Sequence, residues 1–130
     1  MRTLIVEDDL SSRQLLRRFL SRYGDCDIAI DGEDAIQAFK VAMAENKPYQ
    51  LICLDIQMPF LDGHETLRII RSIEDNKGFE QENRVKIVMT TADDRETTVW
   101  QTLEEGATWY LIKPIKKETL ESRLMDLGLI

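Results

Sequence analysis

The stretch Leu51-Ile52-Cys53-Leu54-Asp55 narrows the possible folds more than any other: an unbroken apolar run of strand length that stops on a carboxylate. A run without polar alternation suits a strand covered on both faces, as in the middle of a parallel sheet flanked by helices. Its last residue then emerges at the carboxyl edge of the sheet. Gln57-Met58-Pro59-Phe60-Leu61-Asp62-Gly63 follows at once as an irregular stretch, with Pro59 and Gly63 as breakers. Ligands of open α/β sheets bind in the crevice at that edge, so Asp55, held on a rigid strand end, is the first place to look for chemistry.

The rest of the chain repeats the theme. Thr3-Leu4-Ile5-Val6 is a second continuous run and ends in Glu7-Asp8-Asp9. Cys26, Ile28 and Ile30 alternate with Asp25, Asp27 and Asp31, as in a strand wet on one side and nearer an edge. Val85-Lys86-Ile87-Val88-Met89 ends in Thr90-Thr91-Ala92-Asp93-Asp94, and Trp109-Tyr110-Leu111-Ile112 stops at Lys113-Pro114. Helical stripes fill the intervals: Leu16, Phe19, Leu20 and Tyr23 after a cap at Ser11 or Ser12, then Ile36, Phe39, Ala42 and Met43 between about Glu33 and Glu45. Leu67 and Ile70 continue them after Gly63, Val99 and Leu103 before Gly106, and Leu120, Leu124 and Leu127 from Lys116 or Lys117 onwards. The segment from Ser72 to Arg84 is polar and charged around Gly78, which predicts a long exposed loop or a frayed helix end. Five strands alternating with five helices imply a single α/β domain over residues 1–130, a (βα)5 doubly wound parallel five-stranded sheet.

Charge bounds the partners. Twenty-four acidic against 17 basic side chains leave a net charge of −7. That argues against direct nucleic-acid or anionic-membrane binding, which rests on clustered Lys and Arg. Proteins and small ions are the expected partners. Cys26 and Cys53 show no CxxC or Cys/His spacing, which reads as two reduced, buried thiols in a reducing compartment. Neither a signal peptide nor a membrane span is apparent, so a cytoplasmic location is expected.

Four of the five strands deliver polar groups to one edge: Asp8 and Asp9, Asp55, Thr91, and Lys113. Three carboxylates in a poorly solvated cleft repel one another unless a cation holds them, and a few hard oxygen donors with room for water suit Mg²⁺, or Mn²⁺ in its place. An ammonium and a hydroxyl beside that ion can stabilise phosphoryl oxygens while a carboxylate attacks phosphorus in line. Asp55, on the most apolar strand and between the other groups, is the expected attacker.

These residues carry a resemblance. Val6-Glu7-Asp8-Asp9, Leu54-Asp55-Ile56-Gln57-Met58-Pro59 with Asp62-Gly63, Thr91-Ala92 and Tyr110-Leu111-Ile112-Lys113-Pro114, in this order and at these strand ends, resemble a response-regulator receiver domain of two-component signalling. The similarity covers essentially the whole chain and implies the flavodoxin-like strand order 2-1-3-4-5. It implies that Asp55 accepts a phosphoryl group from the phosphohistidine of a sensor histidine kinase or phosphotransfer protein. Asp9, Asp55 and the main-chain carbonyl of Gln57 would coordinate Mg²⁺, Asp8 would assist through water, and Thr91 and Lys113 would grip the phosphoryl oxygens. Thr91 and Tyr110 would form the switch, changing a surface that a downstream target protein reads, while Gln57 and Asp93 stand where phosphate lifetime is tuned. The position before Tyr110 is commonly acidic in the family and here is Trp109. Trp100, Trp109 and Tyr110 are therefore expected to form an aromatic partner face, with the chain a monomer or a weak phosphorylation-dependent dimer. Because the chain ends at Ile130, just past the last helix, a stand-alone receiver is expected, catalysing only its own phosphorylation and dephosphorylation.

Other functions fit less well. A haloacid-dehalogenase-type phosphohydrolase wants a second Asp two positions after its nucleophile, where Gln57 stands. A flavodoxin-like electron carrier wants a hydroxyl- and glycine-rich cradle where Glu7-Asp8-Asp9 would repel a flavin phosphate. A receiver-fold interaction module working without phosphorylation is the remaining alternative, and joint retention of Asp55, Thr91 and Lys113 speaks against it. His64, the only histidine, has no second ligand nearby in sequence and reads as a surface residue.

Overall fold

The apolar runs do form parallel strands, and those of Thr3–Val6 and Leu51–Asp55 are buried along their whole length. The computed structural model describes residues 1–130. Its elements run β1 (Thr3–Val6), α1 (Leu10–Leu20), β2 (Cys26–Ala29), α2 (Gly32–Ala44), β3 (Leu51–Asp55), α3 (Gly63–Asn76), β4 (Lys86–Thr91), α4 (Glu96–Glu104), β5 (Trp109–Ile112) and α5 (Lys117–Asp126). All strand pairs are parallel, in the order β2-β1-β3-β4-β5. No helix is long and apolar enough to cross a membrane.

Period-2 alternation sorts strand residues into two cores. Leu4, Val6, Ile52, Leu54, Ile87 and Met89 face α2 and α3, meeting Ile36, Phe39, Leu67 and Ile70. Ile5, Leu51, Cys53, Val88 and Leu111 face the other way, onto Leu16 and Leu20 of α1 and Leu120 and Leu124 of α5. β2 is an edge strand, as its alternation predicts, and this leaves Cys26 half-buried where burial was expected. Cys53 is fully enclosed and free, and burial pushes its thiol up to about 12. Helix α4 packs most loosely, with Thr102 its one buried residue.

Two local expectations are corrected. The first concerns α1, which is capped by Asp9 and not by Ser11 or Ser12: the Asp9 carboxylate accepts the Ser12 N–H at 2.9 Å. The second concerns residues 72–84. Helix α3 continues through Asn76, Gly78 turns the chain at φ 72°, and a short 3-10 turn covers Gln81–Asn83. Glu74, polar and so assigned to solvent from sequence, is 0 % exposed. Its Oε1 accepts Arg71 Nη1 at 2.6 Å and its Oε2 accepts the Val85 N–H at 2.8 Å. Arg71 also donates to the carbonyls of Val85 and Gly106, each at 2.9 Å. The ion pair thus ties the end of α3 to the entries of β4 and β5.

Removing one member of a buried pair strands the other's charge. Arg71→Ala is therefore expected to lose about 3–5 kcal/mol of stability in urea unfolding. Glu74→Gln keeps an acceptor for Val85 and is expected to lose less; equal, small losses would place the pair in solvent.

Candidate functional site

Register decides which acids meet. Val6 lies level with Leu54 across the β1–β3 ladder, so the next residues, Glu7 and Asp55, are level too. Both continue the face that Ile5 and Cys53 present. Glu7 is 0 % and Asp55 3 % exposed, and with the exposed Asp8 each offers a carboxylate oxygen within 4.8 Å of the others. Lys113, from the end of β5, places Nζ 2.6 Å from Glu7 Oε1 and 3.3 Å from Asp55 Oδ2. One ammonium thus serves two of three clustered carboxylates. Burial and then the Asp55 carboxylate push Glu7 above the usual carboxylate range, against the pull of Lys113. Burial works to lower Lys113, but Glu7 and Asp55 outweigh it and hold the ammonium above its ordinary value. Hard oxygen donors carrying excess negative charge are what Mg²⁺ selects, so the residues fit that ion.

The acidic run divides its labour differently from the expectation. Asp9, expected as a direct metal ligand, lies outside the carboxylate group because its side chain caps α1; the Ser12 backbone N–H, foremost, lowers its pKa. Glu7, which sequence reasoning passed over, takes the inner place. Its signal was present as a spacing: Asp9 stands immediately before the first helical residue and three before Ser12, the geometry of an N-cap. Asp8 keeps a place in the group.

The other expected residues surround this centre. The Gln57 N–H donates to Asp55 Oδ1 at 3.2 Å. Thr91 is buried at the end of β4; its carbonyl accepts the Lys113 N–H at 2.7 Å and its Oγ1 accepts the Asp93 N–H at 3.0 Å. That bond uses an oxygen lone pair and leaves the hydroxyl proton free to donate. Asp93 is occupied by its own neighbours: Arg95 Nε reaches both carboxylate oxygens at 2.9 Å and Thr98 Oγ1 donates at 3.0 Å. The Arg95 guanidinium above all holds Asp93 well below the usual carboxylate range.

The loop after Asp55 is pinned at its base. The Gly63 N–H donates to the Ile56 carbonyl at 2.9 Å, and a Cβ on Gly63 would lie 2.4 Å from the Asp55 carbonyl oxygen, so only glycine fits. His64 is not a free surface residue. Its Nδ1 lies 3.0 Å from Glu105 Oε1 at the end of α4, with both atoms buried and neither in hydrogen-bond geometry. Arg68 pairs with the second oxygen of Glu105.

Beyond β5 the three expected aromatics converge. Trp100, Trp109 and Tyr110 line one shallow groove of about 350 Å³ with Val99, Leu103 and Ile112. The rings of Trp109 and Tyr110 stack with centroids 5.4 Å apart, and the Arg123 guanidinium of α5 sits 5.0 Å from the centroid of Trp109.

Crowding at the centre carries an energetic consequence. Asp55→Asn removes one charge from the group, while Lys113 keeps its 2.6 Å partner Glu7. Without divalent cations, Asp55→Asn is expected to be more stable than wild type by about 1 kcal/mol in urea unfolding. A less stable variant would mean that the Lys113–Asp55 attraction outweighs the repulsion.

The family model of the response regulator receiver domain matches residues 3–125. Among curated relatives, the chain is 39% identical over 127 residues to the peroxide stress-activated histidine kinase mak3 of Schizosaccharomyces pombe, covering 95% of this chain and 5% of mak3. It is 37% identical over 128 residues to the response regulator MprA of Mycobacterium avium, covering 98% of this chain and 50% of MprA. The chain thus spans half or less of these relatives. Among solved structures, the receiver domain of Ssk1, crystallised with the histidine phosphotransfer protein Ypd1 of Saccharomyces cerevisiae, superposes with a TM-score of 0.86 at 28% identity, covering 98% of this chain and 88% of that one. The Vibrio cholerae chemotaxis protein CheY4 superposes with a TM-score of 0.77 at 27% identity, covering 96% of each chain. With its sheet order, its acidic group and these likenesses, the chain belongs to the response regulator receiver domains of two-component phosphorelay systems.

Proposed function

We propose that this domain takes a phosphoryl group from a phosphohistidine onto Asp55. The observation that carries the reading is the placement of Lys113 Nζ 3.3 Å from Asp55 Oδ2, at a strand end where the other residues that can neutralise or grip a phosphoryl group also gather. In the transfer, Asp55 supplies an oxygen lone pair to phosphorus as the P–N bond of the donor breaks, and that bond's electron pair stays on the imidazole nitrogen. Lys113 offsets negative charge on the phosphoryl oxygens. Thr91 donates its free hydroxyl proton to one of them. Asp8, Asp55 and the Gln57 carbonyl would hold Mg²⁺, with Glu7 behind them; the bound ion supplies further positive charge for the phosphoryl oxygens. No external substrate is turned over, so the domain acts as a signalling protein that catalyses only its own phosphorylation and its reversal.

The signal leaves through β5. Movement of Thr91 toward a phosphoryl group frees the space beside Tyr110, whose ring is half-buried and already shares a groove with Trp100 and Trp109. A downstream target protein reads that groove. Phosphorylation is thus a local charge event biasing a bistable element.

Incubation with Mg²⁺ and acetyl phosphate is expected to add the mass of one phosphoryl group to the intact wild type and none to Asp55→Asn. Absence of the added mass, with phosphorylated Ypd1 also tried as donor, would leave the phosphorylation-independent interaction module as the better reading.

A further inference from the structure

We infer that Phe60 is the residue by which this chain recognises a protein phosphodonor: an apolar anchor that enters a non-polar hollow beside the donor's phosphohistidine. The inference rests on the phosphoacceptor role proposed for Asp55 and adds to it the chemistry of the donor's surface.

Nothing inside the molecule accounts for a phenylalanine at this position. Phe60 is 99 % exposed and belongs to neither core. Its backbone sits at φ 66°, in the left-handed region that suits glycine or asparagine and disfavours an aromatic side chain. Packing and local conformation therefore both select against the residue that is there. A single exposed apolar side chain is ordinary, but one held in a backbone conformation that disfavours it, beside the phosphoacceptor, is accounted for by contact with another molecule.

Its location identifies that molecule. The loop is tied down where Gly63 bonds to Ile56, and Phe60 is three residues from Gly63, so its Cα stands no more than about 11 Å from the loop base beside Asp55. Asp55 is 3 % exposed. A protein that brings a phosphorylated imidazole to bonding distance of so enclosed a carboxylate must cover the mouth of the cleft, and with it this loop. Acetyl phosphate, being small, need not touch Phe60. Other apolar groups lie toward the same edge: Leu10, at the start of α1, is 56 % exposed, and Leu15, Leu16, Pro114 and Ile115 line a groove with Ser11, Ser12 and Lys113. The centre itself is acidic and the chain carries −7, so charge opposes the approach of a phosphorylated protein. Apolar contact at the rim supplies attraction that salt does not screen.

The test compares two phosphoryl sources on wild type, Phe60→Asn and Phe60→Leu. Asparagine tolerates the left-handed backbone, so Phe60→Asn is expected to melt at or above the wild-type temperature and to be labelled by acetyl phosphate at the wild-type rate. From phosphorylated Ypd1, kcat/KM for transfer into Phe60→Asn is expected to fall about tenfold, with Phe60→Leu retaining most of the wild-type value. Equal transfer into wild type and Phe60→Asn overturns the inference, as does no transfer into either while acetyl phosphate labels both. A wild-type dimer that Phe60→Asn dissolves, with transfer unchanged, would likewise overturn it and assign Phe60 to self-association. Failure of acetyl phosphate to label any of the three proteins would instead overturn the phosphoacceptor reading beneath it.

Discussion

Lys113 is the one cation in ion-pair contact with the group of Glu7, Asp8 and Asp55, and the rest of the structure can be understood as holding that imbalance in place. Its ammonium satisfies Glu7 at 2.6 Å and reaches Asp55 at 3.3 Å, which leaves the carboxylates undercompensated. Left to itself a flexible segment would relieve such crowding by swinging its acids into water. Here the strand ends forbid it. Glu7 and Asp55 are fixed by a parallel ladder whose preceding residues, Leu4 to Val6 and Leu51 to Leu54, are buried in two cores at once. The hydrophobic contacts of α1, α2, α3 and α5 thus stabilise an arrangement that the charges alone would disperse. A group held in this way favours the approach of positive charge.

Rigidity is unevenly distributed around that centre. The side of the sheet that holds Glu7 and Asp55 is backed by full helices, and the end of α3 is fastened by the Arg71–Glu74 pair. β5 is an edge strand, and beside it α4 buries one residue. Lys113 and Tyr110 both come from β5 or its end, so the cation of the acidic centre is attached to the least firmly packed part of the fold. The stacked Trp109 and Tyr110, with Arg123 over the first, put large aromatic area where movement is easiest. The loop carrying Phe60 contributes differently: it is pinned at Gly63 and projects an apolar side chain into solvent.

Much of this was legible in the chain. Continuous apolar runs ending in Asp55 and in Glu7-Asp8-Asp9 announced strands buried on both faces with polar groups at one edge, and β1 and β3 have that form. Asp55, Asp8 and Lys113 come together as expected. What could not be read depends on relations between segments. Which member of an acidic triplet meets Asp55 is set by the β1–β3 register and by where α1 begins: Glu7 is level with Asp55 while Asp9 is the N-cap of α1, so Glu7 was overlooked and Asp9 given its place. Glu74 looked solvated because its partners, Arg71 and the Val85 N–H, exist only once α3 has docked. His64 looked solitary for the same reason, Glu105 being distant in sequence and 3.0 Å away in space.

In the proposed reading the carboxylate group is a cation site kept under charge repulsion by the fold. Urea unfolding of wild type and Asp8→Asn, with and without saturating MgCl₂, tests it most directly, because ligand that binds only the folded state raises stability by about 2.7 kcal/mol at a hundred times its dissociation constant. Wild type is expected to gain stability of that order with Mg²⁺, and Asp8→Asn to gain little or none. An unfolding midpoint indifferent to Mg²⁺ in wild type, or shifted equally in both proteins, would contradict it.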